Sequence, residues 1–178
     1  LGGAVTTGIN NIALGANAAD AITSGATNIA IGQDALGTST TGSYNIALGI
    51  TALGGADTTG VGNLAIGSNA MDALTTGKCN IALGVNSMGA ATTGCFNISM
   101  GHLALGAGVT TGKCNIAIGV TALDAMTSGL NNIAMGLNAL GVATDAEENV
   151  AIGPYGALDA LVGGHTNVAI GVHAFGDA

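Results

Sequence analysis

The chain has 178 residues, 32 of them Gly, with two Lys, no Arg and ten acids, and only 7% of its residues are charged. Glycine is roughly two and a half times as common as usual and charge about a quarter of its usual share, yet hydrophobic residues reach 48%. These figures exclude a disordered chain, which needs low hydrophobicity and dense charge, and a nucleic-acid binder, which needs a basic face. A single Pro, Pro154, excludes collagen, and Asn, Thr and Gly break every apolar run far short of the ~20 residues of a membrane-spanning helix.

No basic start followed by an apolar stretch marks a signal peptide. Leu1 in place of Met is expected of a processed chain or a piece of a longer one. The three cysteines, Cys79, Cys95 and Cys114, are odd in number and lack C-x-x-C spacing. They form neither a disulfide framework nor a zinc site.

One motif recurs through the whole chain: Asn, then an apolar residue, Ala or Ser, a second apolar residue, and Gly. Its Asn stands at Asn11, Asn28, Asn45, Asn63, Asn80, Asn97, Asn115, Asn132, Asn149 and Asn167. Its Gly stands at Gly15, Gly32, Gly49, Gly67, Gly84, Gly101, Gly119, Gly136, Gly153 and Gly171. The spacings are 17, 17 and 18 residues, repeated three times, so every three steps span 52 residues. Repeats three apart resemble each other most: Asp20-Ala21-Ile22-Thr23 returns as Asp72-Ala73-Leu74-Thr75 and as Asp124-Ala125-Met126-Thr127. Duplication of a three-repeat block explains this, and so does geometry, if three successive repeats meet different surroundings.

Seventeen residues are too few for a helical hairpin, and so much Gly opposes helices. The Ile12-Ala13-Leu14 triplet alternates large and small with the period of a strand. Short strands bounded by Asn and Gly predict the rungs of an all-β parallel solenoid, or β-roll. It would hold about ten rungs of 17–18 residues in one array over residues 1–178. One rung cannot offset its own ordering entropy, so stacking must stabilise it.

Along one rung, Asn suits a turn and can bond from rung to rung. Ile12 and Leu14, with their equivalents, are expected to point inward because they are always large and apolar. The middle residue, Ala in nine rungs and Ser99 in one, is then expected to face outward against another chain. The Gly column is expected to hold backbone angles that only Gly takes cheaply. A second inward column runs Leu36, Leu53, Met71, Met88, Leu105, Leu123, Leu140, Leu158 and Phe175. A Thr column follows: Thr6, Thr23, Thr40, Thr58, Thr75, Thr92, Thr110, Thr127 and Thr144. Its expected roles are a hydroxyl ladder closing the turn or a subunit contact. Thr ranks also occur on ice-binding solenoids, although adjacent Thr should point to opposite sides. The variable positions, among them Lys78-Cys79, Cys95-Phe96, Glu147-Glu148, His165-Thr166, Gln33-Asp34 and Pro154-Tyr155, are expected to be exposed turns carrying any ligand specificity.

Thr40-Thr41-Gly42-Ser43-Tyr44-Asn45-Ile46-Ala47-Leu48-Gly49 resembles the repeats of bacteriophage and large-virus fibre proteins. More distantly, it is similar to the head repeats of trimeric autotransporter adhesins, whose period is shorter. The resemblance covers essentially the whole chain. It implies a left-handed β-roll that associates as a trimer.

Sites for chemistry are sparse. Gly77-Lys78-Cys79 and Gly112-Lys113-Cys114 look like the end of a phosphate loop, but Asp72 and Ala107 replace its first Gly and Cys its Ser or Thr. His102, His165 and His173 are scattered over different rungs. Asp20, Asp72 and Asp124 share a column three rungs apart, too far to share one calcium. Asn97-Ile98-Ser99 is a formal glycosylation sequon whose Asn belongs to the structural column.

The expected function is therefore structural, with no enzymatic activity and no cofactor. It is a self-assembling spacer of an extracellular or virion fibre, presenting adhesive turns. Its partners are other copies of itself, as a trimer or an end-to-end filament through unpaired strand edges, and a cell-surface receptor. Neither nucleic acid nor membrane insertion is expected. The alternative is a ligand-binding solenoid, ice-binding or glycan-binding. The sparse charge and the Ala column, for instance Ala65, Ala82 and Ala117, are the grounds for self-association.

Overall fold

The computed structural model describes residues 7–108, 110–158 and 160–175. Ten strands of three residues follow one another: β1 (Ile12–Leu14), β2 (Ile29–Ile31), β3 (Ile46–Leu48), β4 (Leu64–Ile66), β5 (Ile81–Leu83), β6 (Ile98–Met100), β7 (Ile116–Ile118), β8 (Ile133–Met135), β9 (Val150–Ile152) and β10 (Val168–Ile170). They form one parallel sheet in sequence order, with Ile12 beside Ile29 and Ile29 beside Ile46. The chain is a β-solenoid of tandem repeats, and each repeat is one rung. No helix occurs among the described residues.

Each strand is short because the chain turns at both of its ends. The Gly after it has φ between 126° and 158° in all ten rungs. A Cβ on Gly84 would sit 2.5 Å from the Gly101 carbonyl oxygen, so backbone stacks on backbone with no room for a side chain. The other corners use left-handed residues that are not glycine. Among the described residues 29 non-glycine positions have φ of 49–61°, and all fall in three columns. One precedes each Asn (Thr27, Tyr44, Cys79, Phe96) except Asn63, where Gly62 takes the place. One lies two residues after each Gly (Asn17, Asp34, Thr51, Asn69). The third is the Leu36, Leu53, Met71 column. Leu, Tyr and Phe are poor left-handed residues, at a cost of roughly 1–2 kcal/mol each. The offset lies in hydrogen bonds along the rod. Tyr44 N–H donates to Ala26 O at 3.0 Å, Asp34 N–H to Ala16 O at 2.9 Å and Leu36 N–H to Ala52 O at 3.0 Å. The left-handed corner swings each N–H parallel to the axis, where the next rung supplies an acceptor.

The interior reverses one expectation. The middle strand residue faces inward: Ala30, Ala47, Ala65, Ala82, Ser99 and Ala117 are completely buried. Ile12 and Leu14 and their equivalents face outward, partly or largely exposed. The reason is thickness. The wall opposite the sheet carries a second alanine column, Ala35, Ala52, Ala70, Ala104 and Ala122, also buried. The two walls approach until only methyl groups fit between them. Ser87 and Ser99 measure that approach: each replaces Ala in one of the two columns, and their hydroxyl oxygens lie 2.6 Å apart across the interior. Leu36, Leu53, Met71 and their equivalents through Leu140 fill the remaining volume, fully buried. Phe175, at the last described rung, is exposed.

The 52-residue period has a packing basis. A further inward column holds Ile22, Leu74 and Met126 in every third rung, all buried, with Ser39, Ala91 and Ala143 in the rungs that follow. In the first two 18-residue rungs Thr58 and Thr110 occupy this column and are fully buried; in the third, Leu161 packs there partly buried and Val162 is exposed. Over the rungs from Ile22 to Ala143, large, small and hydroxyl residues alternate in this column with the 52-residue period. The Gly of the Thr-Thr-Gly segment follows the same rule. A Cβ on Gly77 would strike Leu74, and one on Gly129 would strike Met126. Ala146 replaces this Gly in the rung whose inward residue is the small Ala143.

Two neighbours on β4 should respond oppositely to substitution. Ala65→Glu places an unpaired charge between the walls and should destabilise by about 3–5 kcal/mol. Ile66→Thr, on the outward side, should change stability by less than about 1 kcal/mol. Chemical denaturation of dilute protein measures both.

Candidate functional site

The most elaborate polar arrangement in the molecule is the asparagine ladder. Each backbone N–H from Asn28 to Asn167 donates to the side-chain Oδ1 of the Asn one rung before it, for example Asn28 to Asn11 at 2.9 Å, Asn80 to Asn63 at 3.0 Å and Asn149 to Asn132 at 3.0 Å. The side-chain Nδ2 closes the other bonds. That of Asn80 donates to Asn63 Oδ1 at 3.1 Å and to the Gly94 carbonyl at 2.7 Å. The Asn carbonyl accepts the N–H of the preceding strand, as when Ile12 donates to Asn28 O at 2.8 Å. Asn28 to Asn149 are buried. A buried amide side chain is costly unless bonded, and these are bonded. The sequon at Asn97 lies in this buried column.

The threonine column is partly a hydroxyl ladder. Thr23, Thr75 and Thr127 donate through Oγ1 to the Thr40, Thr92 and Thr144 carbonyls at 3.2, 3.0 and 2.9 Å. The alignment by sequence is off by one residue in the 18-residue rungs. There Thr59 and Thr111 donate to the Thr75 and Thr127 carbonyls, while Thr58 and Thr110 turn inward and donate to the Leu74 and Met126 carbonyls. The extra residue swings the preceding Thr into the core. Thr6 lies outside the described residues.

The chemistry-bearing residues are dispersed over turns. Among the described residues no group of three His, Cys, Asp or Glu could hold a metal ion. His165 Nδ1 lies 3.5 Å from Glu147 Oε2 on the surface, and the His173 ring stacks on Tyr155 with centroids 6.4 Å apart. Lys78, Cys79, Lys113, Cys114 and Phe96 are exposed on one turn edge, and the thiols are free. Around Asp34 an open cleft is lined by Asn17, Asp20, Thr38 and Thr51. Asp34 is already engaged there, accepting from Asn17 Nδ2 at 2.8 Å and Gln33 Nε2 at 3.1 Å.

Two of the aspartates spaced three rungs apart, Asp72 and Asp124, lie against the long rungs. Asp124 Oδ1 accepts the N–H of Ala107 at 2.9 Å, in the 18-residue rung before it. The Asp72 carboxylate lies beside Gly55, the residue equivalent to Ala107, but its Oδ1 is buried without a hydrogen-bond partner. Burial raises the Asp72 carboxyl above its ordinary value, partly offset by the Gly55 N–H. Neither the hydrogen-bonding of Asp124 nor the orphaned oxygen of Asp72 is legible in the sequence, which shows only a repeated acid.

The chain matches no protein-family profile, no curated protein and no solved structure. Among the described residues no helix is long and apolar enough to cross a membrane.

Two outcomes follow from these sites. Asn80→Ala strips partners from the buried Asn97 N–H, Gly94 carbonyl and Asn63 Oδ1, so it should cost about 3 kcal/mol. Lys78→Ala, two residues earlier and exposed, should stay within about 0.5 kcal/mol. Equal shifts of the unfolding midpoint would contradict the ladder. For Asp72 the native state binds its proton more readily than the unfolded chain, so its charge costs stability at neutral pH. That cost disappears as the pH falls below the ordinary carboxylate value. Asp72→Asn should therefore gain stability at neutral pH, and its advantage over the unmodified protein should shrink on acidification.

Proposed function

We propose that this chain is a rigid structural spacer, a repeat segment of a fibre or filament outside a cell or on a virion, and not an enzyme. The observation that carries the proposal is the unbroken ladder. Nine successive Asn N–H to Oδ1 bonds, from Asn28–Asn11 to Asn167–Asn149, all measure 2.9–3.0 Å. A rod tied at every rung resists bending and stretching, and ten rungs at ~4.8 Å span about 48 Å. The side chains that vary lie on turns, where a spacer tolerates variation and an adhesive segment displays it. The extracellular or virion setting rests on the sequence resemblance to fibre repeats.

The ice-binding alternative is weakened by the threonine geometry, since Thr23, Thr75 and Thr127 spend their hydroxyl protons on neighbouring rungs. A glycan-binding role has one point in its favour, the exposed Tyr155 ring stacked on His173, a surface that sugar C–H groups could cover.

Gold-labelled antibody against the chain, applied to intact particles or cells of the source, tests the spacer role. Label along protruding fibres is the expected result. Label confined to the cell interior, or thermal hysteresis by the purified protein, would overturn it.

A further inference from the structure

The outward side of the sheet has no assigned occupant. Its first column runs from Ile12 to Val168 and its third from Leu14 to Ile170, and all twenty side chains are Ile, Leu, Val or Met. Ile66, Met100 and Met135, well inside the array, remain 40%, 40% and 37% exposed. Just beyond the strand, Ile50, Val85, Val120 and Leu137 are also exposed, in a column that they share with Gln33, Ser68 and His102.

We propose that this face is an interface between two copies of the chain, packed sheet against sheet. This deepens the spacer proposal by naming the spacer's partner. Ten rungs at ~4.8 Å and about 13 Å of chain across give roughly 600 Å² in projection. That is at the upper limit of the largest apolar patch on a typical monomer, and near the ~800 Å² per partner of a standard stable interface.

The chemistry selects a second copy. The two strand columns hold no charge and no side-chain hydrogen-bonding group, and the strand backbone is bonded within the sheet. The two strand columns offer nothing that recognises a charged or polar partner, and polar side chains enter only at the edge, at Gln33, Ser68 and His102. A matching partner must be equally flat and apolar, and another copy repeats its side chains at the same rung spacing, so the rows can interdigitate.

The number of faces selects a pair. Among the described residues the other large exposed apolar side chains, such as Ile9, Tyr44, Phe96 and Val162, lie on turn columns. Those columns also carry Lys78, Lys113, Glu147 and Glu148. A two-fold contact uses the whole face as one self-complementary patch, whereas a ring would have to divide it into two patches of one column each.

The five methionines allow a test without mutation. Met100 and Met135 lie on the outward face, and Met71, Met88 and Met126 are completely buried. Hydroxyl-radical footprinting at concentrations above and below dissociation should lower oxidation of Met100 and Met135 several-fold in the associated sample. Tyr44 and Phe96 on the turn edge should react equally in both, and the buried methionines in neither. Sedimentation should show twice the 16.8 kDa chain mass. The combined variant Ile66→Lys, Met100→Lys, Met135→Lys should sediment as single chains with an unchanged far-UV spectrum. Protection of Tyr44 and Phe96 instead of the methionines would move the contact to the turn edge and overturn the proposal. So would a trimer mass, a single-chain mass at all micromolar concentrations, or pairing that survives the three lysines. A rod that remains single could still be a spacer, so failure here is distinct from label found inside the cell.

Discussion

The structure depends on the bond from one asparagine's backbone N–H to the side-chain oxygen of the asparagine a rung below. That oxygen accepts from the backbone of the next Asn and, in most rungs, from its Nδ2 as well, as at Asn132 over Asn115. The same Nδ2 reaches the carbonyl at the Thr-Thr-Gly turn, as Asn115 reaches Gly129 O at 2.8 Å. One side chain thus joins the start of a strand, the end of a turn and the rung below. Asp has no donor for the turn carbonyl, and Gln carries one methylene too many for the spacing. Only Asn meets all these demands at this length, which accounts for a column without a single exception.

Fixing the rungs at this spacing has consequences for the corners. A rung of 17 or 18 residues must reverse direction within a few residues, and its backbone groups must still find partners. Left-handed residues meet both needs by turning the chain sharply and aiming N–H groups along the rod. Leu, Met and Phe in that conformation would be outliers in an isolated turn. Here they recur because each is held by its neighbours above and below, so the strain is carried by the stack and not by the rung.

Much of this was legible in the sequence. The Asn and Gly columns and the 17-17-18 spacing determine a parallel solenoid, since no other element fits that length and composition. The inward Leu36–Leu158 column was legible because a large apolar residue recurs there in every rung, between a small residue and Gly or Asp. The orientation of the strand was not. Large apolar residues ordinarily face inward, and by that rule Ile12 and Leu14 line the core. The rule fails because the opposite wall is itself alanine, and two alanine columns bring the walls too close for isoleucine. Seeing this required pairing residue 87 with residue 99 across the interior, where two serines replace two alanines together. The inward turn of Thr58 and Thr110 was likewise hidden, because repeat alignment cannot tell where an 18-residue rung absorbs its extra residue.

Turning the strand over also changes what the surface means. The sparse charge of the chain accompanies a continuous apolar face, and the alanines that looked like a contact surface are the core itself. The whole account rests on the asparagine N–H groups being bonded to side chains inside the rod. Amide hydrogen exchange measures this most directly. The N–H groups of Asn45, Asn80, Asn115 and Asn149 should exchange only through global unfolding, at rates matching those of the neighbouring strand amides of Ile46, Ile81, Ile116 and Val150. Exchange at the faster rate of the exposed turn amides would show that the ladder does not hold the rungs together.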